Sequence, residues 1–224
     1  MSEYRRVGWI FGLWLLVAVA WGQAEISADQ TAHDVVSDAT TRVMSVVSGV
    51  EEDDSEDLHE YYREIHEILD PVIDYRGFAR SVMGPYASRD YYQSLDEAGR
   101  AQLREYLNRF ADVMRVGLVR TYGKGLLAFG SSRIEVDTPS EEEVGESRIS
   151  VRQLIYSEEP EPYVILYQMG RNKAGEWKLR NVIIETVNLG EIYKNQFQAA
   201  ARKHNGDLNE VISQWAGANQ DSAI

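Results

Sequence analysis

The stretch Tyr163-Val164-Ile165-Leu166-Tyr167-Gln168-Met169-Gly170, then Arg171-Asn172-Lys173-Ala174-Gly175, then Glu176-Trp177-Lys178-Leu179-Arg180 decides the fold. Its two ends alternate with a period of two. Tyr163, Ile165, Tyr167 and Met169 share one face, and Trp177 and Leu179 stand opposite Lys178 and Arg180. The five residues between them are polar and end in glycine, so the segment predicts two antiparallel strands joined as a hairpin. Working outward, the same period runs through 176–187, 147–156 and 132–138, with Ser140-Glu141-Glu142-Glu143 and Gly145 as a further turn. The expectation is an antiparallel sheet of about four strands: 132–138, 147–156, 162–170 and 176–187.

Before Gly130 the period is that of a helix. Val35, Val36, Ala39, Val43, Val46 and Val47 mark one face over 29–50, and Leu58, Tyr61, Tyr62, Ile65, Ile68 and Leu69 mark another over 55–69. The acidic Glu51-Glu52-Asp53-Asp54 separates the two, and Asp70-Pro71 ends the second, because a residue before proline is pushed out of the helical region. Tyr75, Phe78, Val82 and Met83 predict a helix over 74–83 that Gly84-Pro85 stops. The strongest rhythm lies in 96–122, through Leu103, Tyr106, Leu107, Phe110, Val113, Met114, Gly117, Leu118 and Tyr122, with an end expected near Gly123 or Gly125. Helices over 189–203 and 207–217 close the chain, with Asn205-Gly206 as the break. Helices, then strands, then helices, with no β-α-β alternation, make the class α+β.

The 224 residues include 36 Asp and Glu, 23 Lys and Arg and no cysteine, for a net charge of −13. That balance excludes nucleic acid, whose phosphates need clustered cations, and steady adsorption to anionic lipid surfaces. The missing cysteine excludes disulfides, zinc–thiolate sites, thiol nucleophiles and an acylated lipoprotein cysteine. At 44% hydrophobic and 26% charged, the chain is ordinary globular material. Arg5 and Arg6, the apolar run Val7–Trp21 and the small-x-small Gly22-Gln23-Ala24 read as a secretory signal cut after Ala24, with a cut after Ala20 as the alternative. The run of about 15 residues is short against the roughly 20 that span a bilayer. Residues 1–24 are thus assigned to a signal peptide and 25–224 to one exported domain. Loss of the leader removes two cations and one anion and leaves the remainder more acidic.

No catalytic set stands out. Gly123-Lys124-Gly125-Leu126-Leu127-Ala128 matches a loose dinucleotide pattern but follows a helix and not a strand, so nothing would present the pyrophosphate. His59 and His66 lie seven apart among Glu60, Glu64 and Glu67; the spacing fits no metal motif, and a solvated acidic helix explains it. Asp74 stands where it would cap a helix. Glu185, in Val182-Ile183-Ile184-Glu185-Thr186-Val187, would act as a base only if buried. Tyr numbers 13 and Trp 5 against Phe 5, and such residues suit pockets with one wet end as well as plain cores.

Several segments taken together resemble the MlaC, or toluene-tolerance, family. They are Ile73-Asp74-Tyr75-Arg76-Gly77-Phe78-Ala79-Arg80-Ser81-Val82-Met83-Gly84; the helix with Phe110, Leu118 and Tyr122 before Gly123; the strand from Gly175 through Trp177 to Leu189; and Tyr193-Lys194-Asn195-Gln196-Phe197. Order and spacing carry the likeness over roughly residues 30–216. Asn181 departs from the family's usual Asp, Thr186 from Gly, Asn188 from Ser and Lys194 from Arg, which puts local hydrogen bonding in question.

The resemblance implies a sheet wrapped by N- and C-terminal helices around an apolar cavity. It also implies a periplasmic phospholipid carrier of a Gram-negative bacterium that performs no catalysis. Its implied partners are an outer-membrane lipoprotein–porin complex and an inner-membrane ABC transporter complex with a substrate-binding-type membrane subunit, and the carrier would act as a monomer without cofactor or metal. Such a carrier answers a physical need. At about 0.8 kcal/mol per CH₂, two acyl chains of about 30 CH₂ cost on the order of 20 kcal/mol in water. On this reading the inward-facing Phe78, Val82, Met83, Tyr106, Phe110, Met114, Leu118, Ile165, Tyr167, Trp177, Leu179 and Ile184 are expected to hold the tails, while the head group stays wet without a dedicated site. Arg171, Lys173, Lys178 and Arg180 would form a basic docking patch or a solvated hairpin. Two other readings stay open. One is a small cone-shaped enzyme using Glu185 or Asp74 at a pocket floor; the other is an adaptor with a solid core.

Overall fold

A computed structural model describes residues 30–50, 55–157 and 159–221. The expected leader over 1–24 and the acidic Glu51-Glu52-Asp53-Asp54 lie outside the described residues. The sheet is a meander of β1 (Arg133–Val136), β2 (Arg148–Tyr156), β3 (Tyr163–Arg171), β4 (Trp177–Ile184) and β5 (Val187–Asn188), every neighbour antiparallel. The predicted β3–β4 hairpin is present, with Arg171 opposite Trp177. Asn172 organises its turn: Oδ1 accepts from the N–H groups of Ala174 (2.9 Å) and Glu176 (3.0 Å), and Gly175 takes φ 85°. Only glycine adopts that conformation freely.

The count of strands needs correcting. The expected fourth strand over 176–187 ends at Ile184, and the chain reverses through Glu185 and Thr186 so that Ile184 faces Val187. Glu185 sits at φ 56°, held because its N–H donates to Val164 O (2.8 Å) and its Oε1 accepts from Val164 N–H (2.5 Å). Both flanks are extended and apolar, so the period of two runs through the reversal without marking it.

Among the described residues, seven helices surround the sheet. α1 (Ala32–Val47) opens with a capping box between Thr31 and Asp34, whose hydrogen bonds hold the Asp34 carboxyl below its ordinary range. α2 is Ser55–Leu69 and α3 is Tyr75–Met83, capped by Asp74, whose side chain accepts from Gly77 N–H (2.9 Å). A 3-10 turn (Gly84–Ala87) and the short α4 (Arg89–Ser94) follow; neither has a period long enough to read from sequence. α5 (Glu97–Leu127) has 31 residues and extends past both glycines expected to end it. Its backbone continues because Tyr61 O–H donates to Gly123 O (2.7 Å) and the Tyr62 ring fills the space a side chain would need. α6 (Leu189–Lys203) is capped by Asn188, and α7 (Leu208–Asp221) follows the break at Asn205 and Gly206. Among the described residues, no helix is long and apolar enough to cross a membrane.

Among the described residues, the buried apolar side chains form two cores. α3, α5, α6 and α7 enclose one, around Phe78, Val82, Met83, Phe110, Met114, Phe197 and Ile212. α1, α2, the end of α5 and the sheet enclose the other, around Val35, Val43, Tyr61, Ile65, Val119, Val151 and Met169. α5, about 45 Å long at 1.5 Å per residue, is the rod common to both. The segment before α3 stitches them. Leu179 N–H donates to Val72 O (2.9 Å), Asp74 N–H donates to Leu179 O (3.0 Å), and Lys178 Nζ donates to Pro71 O (2.7 Å). This covers the half of the β4 edge that the two-residue β5 leaves unpaired.

Candidate functional site

Where α1, α2 and the end of α5 stand off from the sheet, they leave an apolar pocket of about 470 Å³. α1 contributes Val36, Ala39 and Val43, α2 contributes Ile65 and Leu69, and the sheet contributes Ile134, Ile155 and Val182. Of the twelve residues assigned to the tails, Phe78, Leu118, Ile165, Tyr167, Leu179 and Ile184 line this pocket.

The other six do not line it. Val82, Met83, Phe110 and Met114 are buried in the helical core, where Phe110 packs against Phe197 (4.9 Å between ring centres) and Trp215 (5.4 Å). Tyr106 rests on the edge of that core and its hydroxyl accepts from Gln102 Nε2 (2.8 Å). Trp177 is buried in the sheet-side core under the Arg171 guanidinium (4.5 Å). The reason lies in α5. One apolar stripe faces two cores in turn, so inward-facing is not the same as pocket-facing. The α1 and α2 residues on the wall lie on the apolar faces their spacing predicts, and nothing in that spacing distinguishes pocket from core.

Two polar arrangements interrupt the wall. In the first, Tyr167 O–H donates to Gln153 Oε1 (2.9 Å) and Gln153 Nε2 donates to Thr40 Oγ1 (2.7 Å), joining β3, β2 and α1. Gln153 is 2% exposed, so these bonds offset its desolvation, and burial pushes the Tyr167 phenol above its ordinary pKa, keeping it neutral. Thr40 and Gln153 are 113 positions apart, which no sequence period could reveal.

In the second, Arg180 turns inward from β4 and pairs with the Asp74 carboxylate. Burial holds the guanidinium below its ordinary pKa. A side chain on Gly77 would meet Arg180 Nη1 at 2.8 Å, so glycine there makes room for the pair. Beside it, Asn181 Nδ2 donates to Gln168 Oε1 and Asn188 Oδ1 (both 2.9 Å), and Asn181 Oδ1 accepts from Gly190 N–H (2.9 Å). An aspartate at 181 could not make the two donations, so Asn181 and Asn188 belong to one hydrogen-bonded unit.

The basic patch is largely taken up internally. Arg171 lies over Trp177 and donates to Gly175 O (2.6 Å), Lys178 binds Pro71 O and Glu176 (3.2 Å), and Arg180 faces Asp74. Glu185 is exposed at the β4–β5 turn and Asp74 is engaged by the cap and by Arg180, so neither carboxylate stands free at the pocket floor. His66 packs toward α5, where burial and, secondarily, Arg115 lower its pKa. Among the described residues no cluster of three or more His, Asp or Glu could hold a metal. Gly123 and Gly125 lie inside α5, not at a strand-to-helix turn.

Comparison with known proteins fits this geometry. The family model described as MlaC protein matches residues 37–217. The toluene tolerance protein ttg2D of Pseudomonas putida is 31% identical over 203 residues, covering 91% of this chain and 88% of that protein. A solved phospholipid-binding protein from Ralstonia solanacearum, in complex with a phospholipid, superposes with a TM-score of 0.67 at 20% identity, covering 87% of this chain and 100% of that one. The last likeness concerns the fold. The first two, spanning nearly the whole described chain, place it: this protein belongs to the MlaC family.

Proposed function

We propose that the protein is a periplasmic phospholipid carrier, exported by a cleaved leader, that holds acyl chains in the pocket between α1, α2, α5 and the sheet. The observation that carries this reading is the pocket. Every contributing element presents aliphatic or aromatic side chains to it, and its volume of about 470 Å³ falls within the roughly 300–1,000 Å³ typical of ligand pockets. An adaptor with a solid core would have no use for such a space. The carrier would collect and deliver lipid at an outer-membrane lipoprotein–porin complex and an inner-membrane ABC transporter complex, and so maintain outer-membrane lipid asymmetry. The solved relative, described as in complex with a phospholipid, supports the ligand class. Membership of the MlaC family supports the role. The proposal includes no catalytic step.

The test is extraction of the purified mature protein followed by mass analysis of what is released. Phospholipid in near-stoichiometric amount is expected, and delipidated protein should regain it from phospholipid vesicles. A bare chain mass in native mass spectrometry, with no uptake from vesicles, would overturn the reading.

A further inference from the structure

Of the residues lining the apolar pocket, Gly125 of α5 and Tyr163 at the start of β3 are exposed, and every other is buried or half-buried. The mouth therefore lies between them. Phe129, two residues past the end of α5, also lines the pocket, and its ring meets that of Tyr163 edge-on, at 5.7 Å between centres and 75° between planes. Tyr163 stands in register with Ile155 of β2 and so belongs to the sheet. Phe129 belongs to the stretch that links α5 to β1. The two glycines nearest the mouth differ in what explains them. Gly123 has a packing reason: Tyr61 O–H donates to its carbonyl (2.7 Å), and a side chain there would strike the Tyr62 ring. Gly125 has none, since a Cβ would meet nothing within 4 Å. Glycine inside a helix is less stable than alanine, so one without a packing reason marks a need for backbone freedom. Beyond it, residues 126–132 are tied largely to one another. Phe129 N–H donates to Leu126 O (3.0 Å), Gly130 N–H to Leu127 O (3.2 Å) and Ser132 N–H to Phe129 O (2.9 Å). The next fixed point is Arg133, which pairs with Tyr156. What holds the stretch down is the Phe129–Tyr163 contact, the partial burial of Leu126 and Leu127 and the close approach of Gly130 to Val47.

Resting on the carrier reading above, we propose that residues 126–132 are a gate over the pocket mouth, hinged at Gly125, which opens when Phe129 parts from Tyr163 and sets the rate at which lipid enters and leaves. Tyr61 holds α5 to α2 just before the hinge, so the walls formed by α1, α2 and the sheet stay in place while the gate moves. Closed, the two rings keep water from the tails. Opening breaks the Phe129–Tyr163 contact and lifts Leu126 and Leu127, and the backbone change falls on the residue that resists it least. A gate of this kind acts on passage and not on the end states. Empty and loaded protein are both closed, so stiffening the hinge slows loading and release together.

The experiment uses mature protein, delipidated or loaded, and phosphatidylglycerol vesicles. Bound lipid is followed in time by native mass spectrometry, with loading and release measured separately. Gly125→Ala should slow both by about two- to fivefold, the rate equivalent of the helix preference of alanine over glycine. Phe129→Ala, which removes the moving half of the contact, should speed release by about two- to tenfold. The chain has no cysteine, so Phe129→Cys with Tyr163→Cys introduces its sole pair of thiols. Joining them with a short thiol-reactive bridge should stop exchange in both directions: loaded protein keeps its lipid and empty protein takes up none. The unbridged double variant should exchange freely, and if it does not fold, the Gly125→Ala rates decide. Continued exchange by the bridged protein, or unchanged rates in Gly125→Ala, overturns the gate. So does loading slowed in Gly125→Ala with release unaltered or faster, which would make Gly125 part of the binding surface and no hinge. Each of these leaves the carrier reading standing. No uptake by the wild type overturns both.

Discussion

Arg180 of β4 reaches back across the pocket rim to the Asp74 carboxylate, which also caps α3 through Gly77 N–H at 2.9 Å. One carboxylate thus starts a helix and neutralises a half-buried cation on the sheet. Removing it should do two kinds of damage. Asp74→Ala is expected to cost about 2–3 kcal/mol, from a lost cap and an unpaired guanidinium, and Arg180→Met less. Urea unfolding of both singles and the double gives the coupling. Strict additivity would show that the pair contributes nothing beyond its separate members.

The division of the twelve expected residues between pocket and core predicts opposite phenotypes. Phe110→Ala, at a fully buried position between Phe197 and Trp215, should lose about 3–5 kcal/mol of stability and keep its lipid while folded. Ile165→Trp should hold stability within about 1.5 kcal/mol and lose most co-purifying lipid. Lipid loss in the Phe110 variant, measured well below its melting temperature, would merge what the structure separates.

Two glycines of α5 should respond with opposite signs. A side chain at Gly125 meets nothing within 4 Å, so Gly125→Ala should stabilise by about 0.5–1 kcal/mol through helix propensity. At Gly123 the new methyl would lie 2.9 Å from Tyr62 Cε1. Gly123→Ala should therefore destabilise by about 1–3 kcal/mol. Stabilisation in both variants, by chemical denaturation, would refute the close approach of α2 to α5.

His66 sets a pH dependence whose sign follows from its surroundings. Burial, then Arg115, lowers its pKa in the fold, and Asp70 opposes them. The unfolded chain therefore binds the proton more readily. Stability is fully present above the unfolded value of about 6.5 and declines as pH falls below it. The carboxylates held below their ordinary range, such as Asp34, act in the same direction but nearer pH 4. Comparing unfolding free energies of wild type and His66→Gln between these windows isolates the histidine. An unchanged slope in the variant would place its proton uptake elsewhere.

Much of the fold was legible because local chemistry announces it. Period two over 163–171 and 177–184, the Asn172–Gly175 turn, Asp74 as a cap and Pro71 as a stop each act within a few residues, and the elements stand there. The reversal at Glu185 was hidden, since extended apolar chain precedes and follows it. The pocket was half legible. Ile165, Tyr167, Leu179 and Ile184 alternate on the sheet's inner face and reach it, whereas Met114 and Phe110 share a stripe with Leu118 and end in another core.

Short-range chemistry, hydrophobic periodicity and turn residues, made the longer helices, the strands through β4, the α+β class, the resemblance to the MlaC family and the apolar character of the inner faces legible in the sequence. Only the tertiary structure decided that α1 and α2 stand off from the sheet to leave a pocket while α3, α6 and α7 close on α5. It alone decided that Arg180, placed by alternation on the solvent side, turns inward to Asp74. It alone joined Thr40 to Gln153 and Tyr167. These are pairings between groups tens to more than a hundred residues apart. What selects them is the cost of burying each polar group unsatisfied, a cost that exists only once the chain has folded around it.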